Sequence, residues 1–232
     1  MVLVDVLAEA LGATAAELGE RALACTADVT SSVQLDAAVS AGVARFGGLD
    51  VAVANAGVEV LGAIDDADPV DFQRVIDVNL VGAWRTVRAA LPEVARRRGY
   101  LLVVSSLAAV TSAPFNGAYN ASKAGVVAIA KTLRVEARSR GVAVGLAYFS
   151  YIATETARRS VEDPRMVAVM KGAPKGLLRP IPVEVAAEAV VRGIERRASR
   201  VVVPHSQVLA IWFPELAQAI LERFVRVPDR GS

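Results

Sequence analysis

Residues 100–110 read YLLVVSSLAAV and residues 117–125 read GAYNASKAG, and the relation between these two stretches decides the fold. The first is a short apolar, β-branched run that ends in Ser105 and Ser106, the pattern of a strand buried on both faces. The second opens a long helical pattern in which Tyr119 and Lys123 stand four apart, on one helix face. A free phenol ionises near pH 10, too high for a good base at neutral pH, and a neighbouring ammonium is expected to lower that value. Such a pair alone is commonplace on exposed helices. Ser106 lies thirteen residues before Tyr119, at the end of the strand, where its hydroxyl can hydrogen-bond a substrate oxygen beside the phenol.

Working outward, the same alternation repeats. Strands read near 2–5, 22–28, 50–55, 101–105, 142–148 and 200–203, with helical stretches near 7–18, 32–46, 69–97, 117–139, 154–170 and 184–198. Repeated βαβ units predict an α/β fold, a doubly wound, mainly parallel sheet with helices on both faces. In such sheets ligands bind beyond the carboxyl ends of the strands. There the stretch VAVANAGV, residues 51–58, ends in Asn55-Ala56-Gly57, a small-residue turn that permits close backbone approach. The stretch VIDVNLVGAW, residues 75–84, places Asn79 inside a helical pattern, where asparagine is a poor helix former.

The totals bound the function. Of 232 residues 54% are apolar and 5% aromatic, with no composition shift dividing the chain. A net charge of +2 is no footprint for nucleic acid, and the arginine runs at 96–98 and 196–197 close helical stretches, where cations suit the helix dipole. The single cysteine, Cys25, excludes an internal disulfide, reads as a core residue and fits a reducing, cytoplasmic setting. With one histidine, His205, neither a zinc site nor a serine-hydrolase triad is expected, and no metal site is assigned. No apolar run is long enough to span a membrane.

Taken together, ANAG, VNLVG, the paired serines and YNASK closely resemble the short-chain dehydrogenase/reductase family over residues 2–203. The resemblance implies a Rossmann-like domain over 1–204, with 205–232 as its C-terminal helical extension. It implies NAD(P)-dependent interconversion of a secondary alcohol and a ketone. Tyr119 would be the general acid/base, Lys123 would hold the nicotinamide ribose and depress the phenol's pKa, Ser106 would orient the substrate oxygen, and Asn79 would anchor a water at a helix irregularity. Asp5 would accept from the adenosine ribose hydroxyls and favour NAD over NADP. Asp28 and Val29 would contact adenine, Asn55, Ala56 and Gly57 would pass beneath the adenosine half, and Ile152 and Thr154 would meet the carboxamide. A homodimer or homotetramer is the implied assembly.

The chain departs from the family at two places. Phe149 and Ser150 stand where Pro-Gly is usual, and none of the 17 glycines falls in the phosphate-binding spacing T-G-x-x-x-G-x-G. The first strand, its turn and its helix are therefore expected to be missing. That strand is central in the family's order, so its loss leaves either unpaired backbone or a six-stranded sheet closed up around the gap. Two functions follow: an oxidoreductase, or a truncated, non-catalytic relative that keeps the scaffold without binding dinucleotide. The stretch 150–182 reads as a substrate flap. With its Tyr151, Met166 and Met170, it points to an apolar alcohol or ketone. Residues 206–224 carry an apolar stripe at helical spacing, broken by Pro214, read as packing on the domain or a partner, or else as a lip over the substrate pocket or a weak membrane-surface contact.

Overall fold

The structure, a computed structural model, describes residues 1–171, 179–225 and 227, without the side chains of Thr156 and Met170. The flap residues 172–178 and the Met170 side chain thus lie outside the described residues. The elements in chain order are β1 (Val2–Asp5), α1 (Ala8–Leu18), β2 (Leu23–Thr26), α2 (Ser32–Phe46), β3 (Val51–Ala54), α3 (Pro69–Ile76), α4 (Gly82–Arg96), β4 (Tyr100–Ser106), α5 (Gly117–Glu136) and β5 (Ala143–Phe149). There follow α6 (Glu155–Glu162), α7 (Pro164–Met170), α8 (Val183–Glu195), β6 (Arg200–Val203), α9 (Val208–Trp212) and α10 (Pro214–Phe224).

The core is built around β4 and β5, which pair in parallel from Tyr100↔Ala143 to Ser106↔Phe149. Their alternating side chains feed two apolar layers. Leu101, Val103 and Leu146 pack with Val126, Ala130 and Leu133 of α5. Tyr100, Leu102 and Ala147 pack with Val201 and Val203 of β6 and against α8. Burial of both faces explains why these strands read as unbroken apolar runs. Tyr100 reaches across β5 to donate from its hydroxyl to Ala198 O at 2.8 Å, passing over Gly145. A Cβ at Gly145 would stand 1.9 Å from that hydroxyl, so the position admits only glycine.

All strand pairs are parallel, but they form two sheets: β1–β2, and β3–β4–β5–β6. The six-stranded closure does not occur. Among the described residues β1 pairs only with β2 and β3 only with β4, leaving one edge of each without a ladder. Val4 and Val53 are correspondingly 39% and 38% exposed. Helix packing spaces the two sheets. Val2 of β1 sits against Gly42 of α2, and Val29 fills the space over Gly82 of α4.

Two expected elements are divided, each for a local reason. The stretch 69–97 becomes α3 and α4, joined by a π-helical turn over Asp77–Val81. The stretch 154–170 breaks at Asp163-Pro164, where the Asp163 carboxylate caps α7 and Pro164 takes its first position. Pro214 opens α10 after α9, the break expected there. Cys25 is half-buried on the two-stranded sheet rather than in the core, and partial burial raises its thiol pKa. No described helix is long and apolar enough to cross a membrane.

Candidate active site

Ser105 and Ser106 end β4 on opposite sides of the strand, as the pleat requires. Ser105 donates to Lys123 O at 3.0 Å and so ties the strand to α5. Ser106 donates to Phe149 O at 3.3 Å and accepts from Ala108 N at 3.2 Å, and it stands near enough to the Tyr119 phenol to lower its pKa. Both strand ends and the first turn of α5 therefore meet at one hydroxyl.

Lys123 is buried, 4% exposed, with its ammonium 5.6 Å from the centroid of the Tyr119 ring. Nζ donates to Val104 O at 3.2 Å. Burial lowers the Lys123 pKa to about 8, because the charged form is disfavoured away from water. Burial also pushes Tyr119 up to about 12; the Ser106 hydrogen bond opposes the rise and the Glu59 carboxylate adds to it. The expected depression of the phenol by Lys123 is therefore not what the protein has. Desolvation is the largest cause at both groups.

Asn79 occupies the π-helical turn and is 1% exposed. Its Oδ1 accepts from Val58 N at 2.7 Å, while Nδ2 donates to Val58 O at 2.9 Å and Ser122 Oγ at 3.1 Å. Ser122 in turn donates to Tyr119 O at 2.7 Å. The extra residue of a π turn aims Asn79 inward, and the amide clamps the loop after β3 to α5. Gly57 lies on that loop; a Cβ there would stand 3.4 Å from Asn79 Oδ1 and 3.5 Å from Lys123 Nζ. Asn79, Ser106, Tyr119, Lys123 and Gly57 are thus brought together.

The remaining candidates are dispersed. Asn55 and Ala56 are exposed just beyond the end of β3. Asp5 is exposed at the end of β1, its Oδ1 accepting from Leu7 N at 2.9 Å. Asp28 holds its own turn by accepting from Thr30 N at 2.8 Å, and Val29 packs on Gly82. Thr154 caps α6 by accepting from Ala157 N at 3.2 Å, whereas Ile152 pairs with Ile181.

One of the readings of residues 206–224, a lip over a pocket, matches what the structure places there, and one further residue was not foreseen. A cavity of about 760 Å³ opens above Ser106 and Tyr119, walled by Tyr151 and Met166 of the flap and by Phe213, Leu216 and Ile220 of α9–α10. The apolar stripe of 206–224 therefore lines this cavity. Glu59 also enters it, from the loop after β3. The rule that ligand groups follow strand ends, applied four residues beyond Asn55, could have found it.

A family profile described as short chain dehydrogenase matches residues 1–165. An uncharacterized NAD-dependent oxidoreductase of Mycobacterium tuberculosis is 41% identical over 140 residues, 60% of this chain and 50% of that protein. The 3beta-hydroxysteroid dehydrogenase 1 of Eggerthella lenta is 39% identical over 130 residues, 55% of this chain and 50% of that protein. The chain thus spans about half the length of the curated relatives it matches. Among solved structures, a 3-ketoacyl-(acyl-carrier-protein) reductase from Brucella melitensis, complexed with NADH, superposes with a TM-score of 0.76 at 26% identity, covering 87% of this chain and 85% of that one. With its profile matched over more than half its length and its parallel Rossmann-like sheets in place, this chain belongs to the short-chain dehydrogenase/reductase family.

Proposed function

We propose that this chain is an NAD-dependent oxidoreductase that interconverts a bulky, apolar secondary alcohol and its ketone. The observation that carries the reading is the large apolar cavity whose floor is the Ser106 and Tyr119 hydroxyls. The names of the relatives, which include oxidoreductases and hydroxysteroid dehydrogenases, support the same reaction class.

The residues at the nicotinamide end fit a dinucleotide. The buried Lys123 ammonium has three N–H donors, and one, to Val104 O, is matched within the protein. The others suit ribose hydroxyls, and the missing side chain of Gly57 leaves room beside them. Asp5 offers the carboxylate that selects NAD, since a 2′-phosphate would be repelled there. When bound, the cofactor accepts or supplies the hydride. In the alcohol-to-ketone direction Tyr119 takes the hydroxyl proton, Ser106 donates to the substrate oxygen, and Lys123 stabilises the phenolate. Asn79 holds the β3 loop against α5, keeping the lysine and tyrosine in register. A phenol held at about 12 is a reluctant base, so the alcohol-oxidising direction gains from alkaline pH.

The split sheet favours a second reading, in which the chain keeps the scaffold and does not bind dinucleotide. It holds no glycine-rich turn at a helix N-terminus to meet a pyrophosphate with backbone N–H groups. Titration with NADH, read by its fluorescence, separates the two: micromolar binding supports the enzyme, and none at millimolar concentration supports the scaffold. Turnover of alicyclic secondary alcohols with NAD and then NADP tests substrate class and cofactor choice. A reducing, cytoplasmic setting accords with the lone Cys25, and assembly into dimers or tetramers accords with exposed Trp84 and Val135 on α4 and α5.

A further inference from the structure

The loop after β3 carries a carboxylate to the catalytic end of the cavity. Glu59 Oε1 accepts from Asn116 Nδ2 at 2.5 Å, and Oε2 accepts from the Ser160 hydroxyl on α6. Asn116 is itself buried, and its loop is fixed by Gly62 N donating to Phe115 O at 2.8 Å. Phe115 is held at φ +62°, a left-handed conformation unfavourable for a bulky side chain, which indicates that the surroundings dictate this loop's path. Each carboxylate oxygen meets a donor.

Among the described residues that line the cavity, Glu59 is the one formally charged side chain; no lysine, arginine or histidine is present there. The rest of the wall is largely apolar, with Leu107, Phe149, Val161 and Leu221 joining the residues already named. In such surroundings like charges repel more strongly than in water, and among the described lining residues an anion meets no cation to offset its desolvation.

We propose that Glu59 sets the charge selectivity of this cavity, admitting neutral and cationic apolar molecules and turning away those that carry a carboxylate near the reacting carbon. The inference rests on the reading of the cavity as the substrate site. It deepens that reading by dividing neutral alcohols and ketones, which are accepted, from hydroxy and keto acids, which are refused. Glu59 acts here through its charge, not by exchanging a proton with substrate.

The test needs no cofactor. The neutral dye N-phenyl-1-naphthylamine is bound to the cavity and displaced by three ligands of one rigid skeleton: 2-adamantanone, adamantane-1-carboxylate and 1-adamantylammonium. In Glu59→Gln the carboxylate is expected to bind about tenfold more tightly than in the parent chain and the ammonium about tenfold more weakly, with the ketone changed less than about threefold. Ser160→Ala removes the flap hydrogen bond but keeps the charge, and is expected to leave the order of the three ligands as it was. The proposal is overturned if all three ligands shift together in Glu59→Gln, if neither charged ligand shifts, or if Ser160→Ala reproduces the effect. It also falls if the dye does not bind the parent chain, because the cavity is then no ligand site. If displacement behaves as expected but no alcohol is turned over with NAD, the oxidoreductase reading fails and the charge selectivity stands.

Discussion

The two sheets of this chain hold their functional side chains in different ways. In the four-stranded sheet, Ser106, Tyr119, Lys123 and Asn79 are fixed by strands buried on both faces, a π-helical turn and a chain of hydrogen bonds running from Val58 to Tyr119. In the two-stranded sheet, Asp5 stands exposed at the end of a four-residue strand with one unpaired edge, its carboxylate accepting from Leu7 N. Packing organises the Ser106–Tyr119–Lys123 cluster before any ligand arrives, whereas the Asp5 end depends on little more than local turns. The same fold can thus carry preorganised chemistry beside a loosely defined binding edge.

The sharpest way to test that contrast is to remove the phenol. Tyr119→Phe is expected to lower kcat for alcohol oxidation by roughly a thousandfold or more, the order of effect for a positioned acid–base group. Its melting temperature should stay close to that of the parent, because the ring remains and only the hydroxyl is lost. A large fall in melting temperature would mean that Tyr119 is a structural keystone rather than the acid–base group. Asp5→Ser, at the loose end, should instead leave kcat nearly alone and shift the ratio of NAD to NADP use.

Lys123→Met comes next, with an expected loss of about a hundredfold in kcat/KM. Its stability profile carries a further signature. The Lys123 pKa is lowered from 10.5 to about 8 on folding. Below about pH 8 the ammonium is charged in both folded and unfolded chains, and burial opposes folding in full. Between there and pH 10.5 the unfolded chain holds more protons, so stability rises with pH. Tyr119, raised from 10.0 to about 12, acts in the opposite sense: stability is lost as pH climbs from 10 to 12, where only the unfolded chain gives up the proton. Urea midpoints measured across pH should therefore rise above pH 8 and fall beyond 10. Lys123→Met should abolish the rise, and Tyr119→Phe should soften the fall.

The contrast also explains what could be read from sequence. Periodicity located the six described strands, because buried parallel strands are continuous apolar runs and their separating helices are amphipathic. The residues placed on rigid elements, Asn79, Ser106, Tyr119 and Lys123, come together because spacing along a helix or strand fixes direction in space. The split into two sheets was harder to read: strand pairing is a long-range property, and no local pattern distinguishes a closed edge from an open one. The Tyr119 pKa was misjudged for a related reason, since a four-residue spacing reveals the ammonium but not the desolvation that overrides it. Glu59 escaped notice because its partners, Asn116 and Ser160, lie 57 and 101 residues away in the chain.

The smallest effects come from making one substitution in both regions. Gly145→Ala places a methyl 1.9 Å from the Tyr100 hydroxyl and 2.5 Å from Ala198 O. Backbone and a packed ring cannot both retreat in a core of this density, so destabilisation of about 3 kcal/mol is expected, in the range of overpacked cores. Gly12→Ala, on the exposed face of α1, meets nothing within 4 Å. There the added methyl only narrows the unfolded ensemble and improves helix propensity, which should stabilise the chain by about 0.5–1 kcal/mol. If chemical denaturation is one cooperative transition, both substitutions move the same midpoint, in opposite directions. If the β1–β2 layer unfolds separately, Gly12→Ala will shift only an early transition, monitored by amide hydrogen exchange in α1, and Gly145→Ala only a late one. Two separate transitions would mean that α2 against α4 is too weak a seam to make the two sheets a single folding unit.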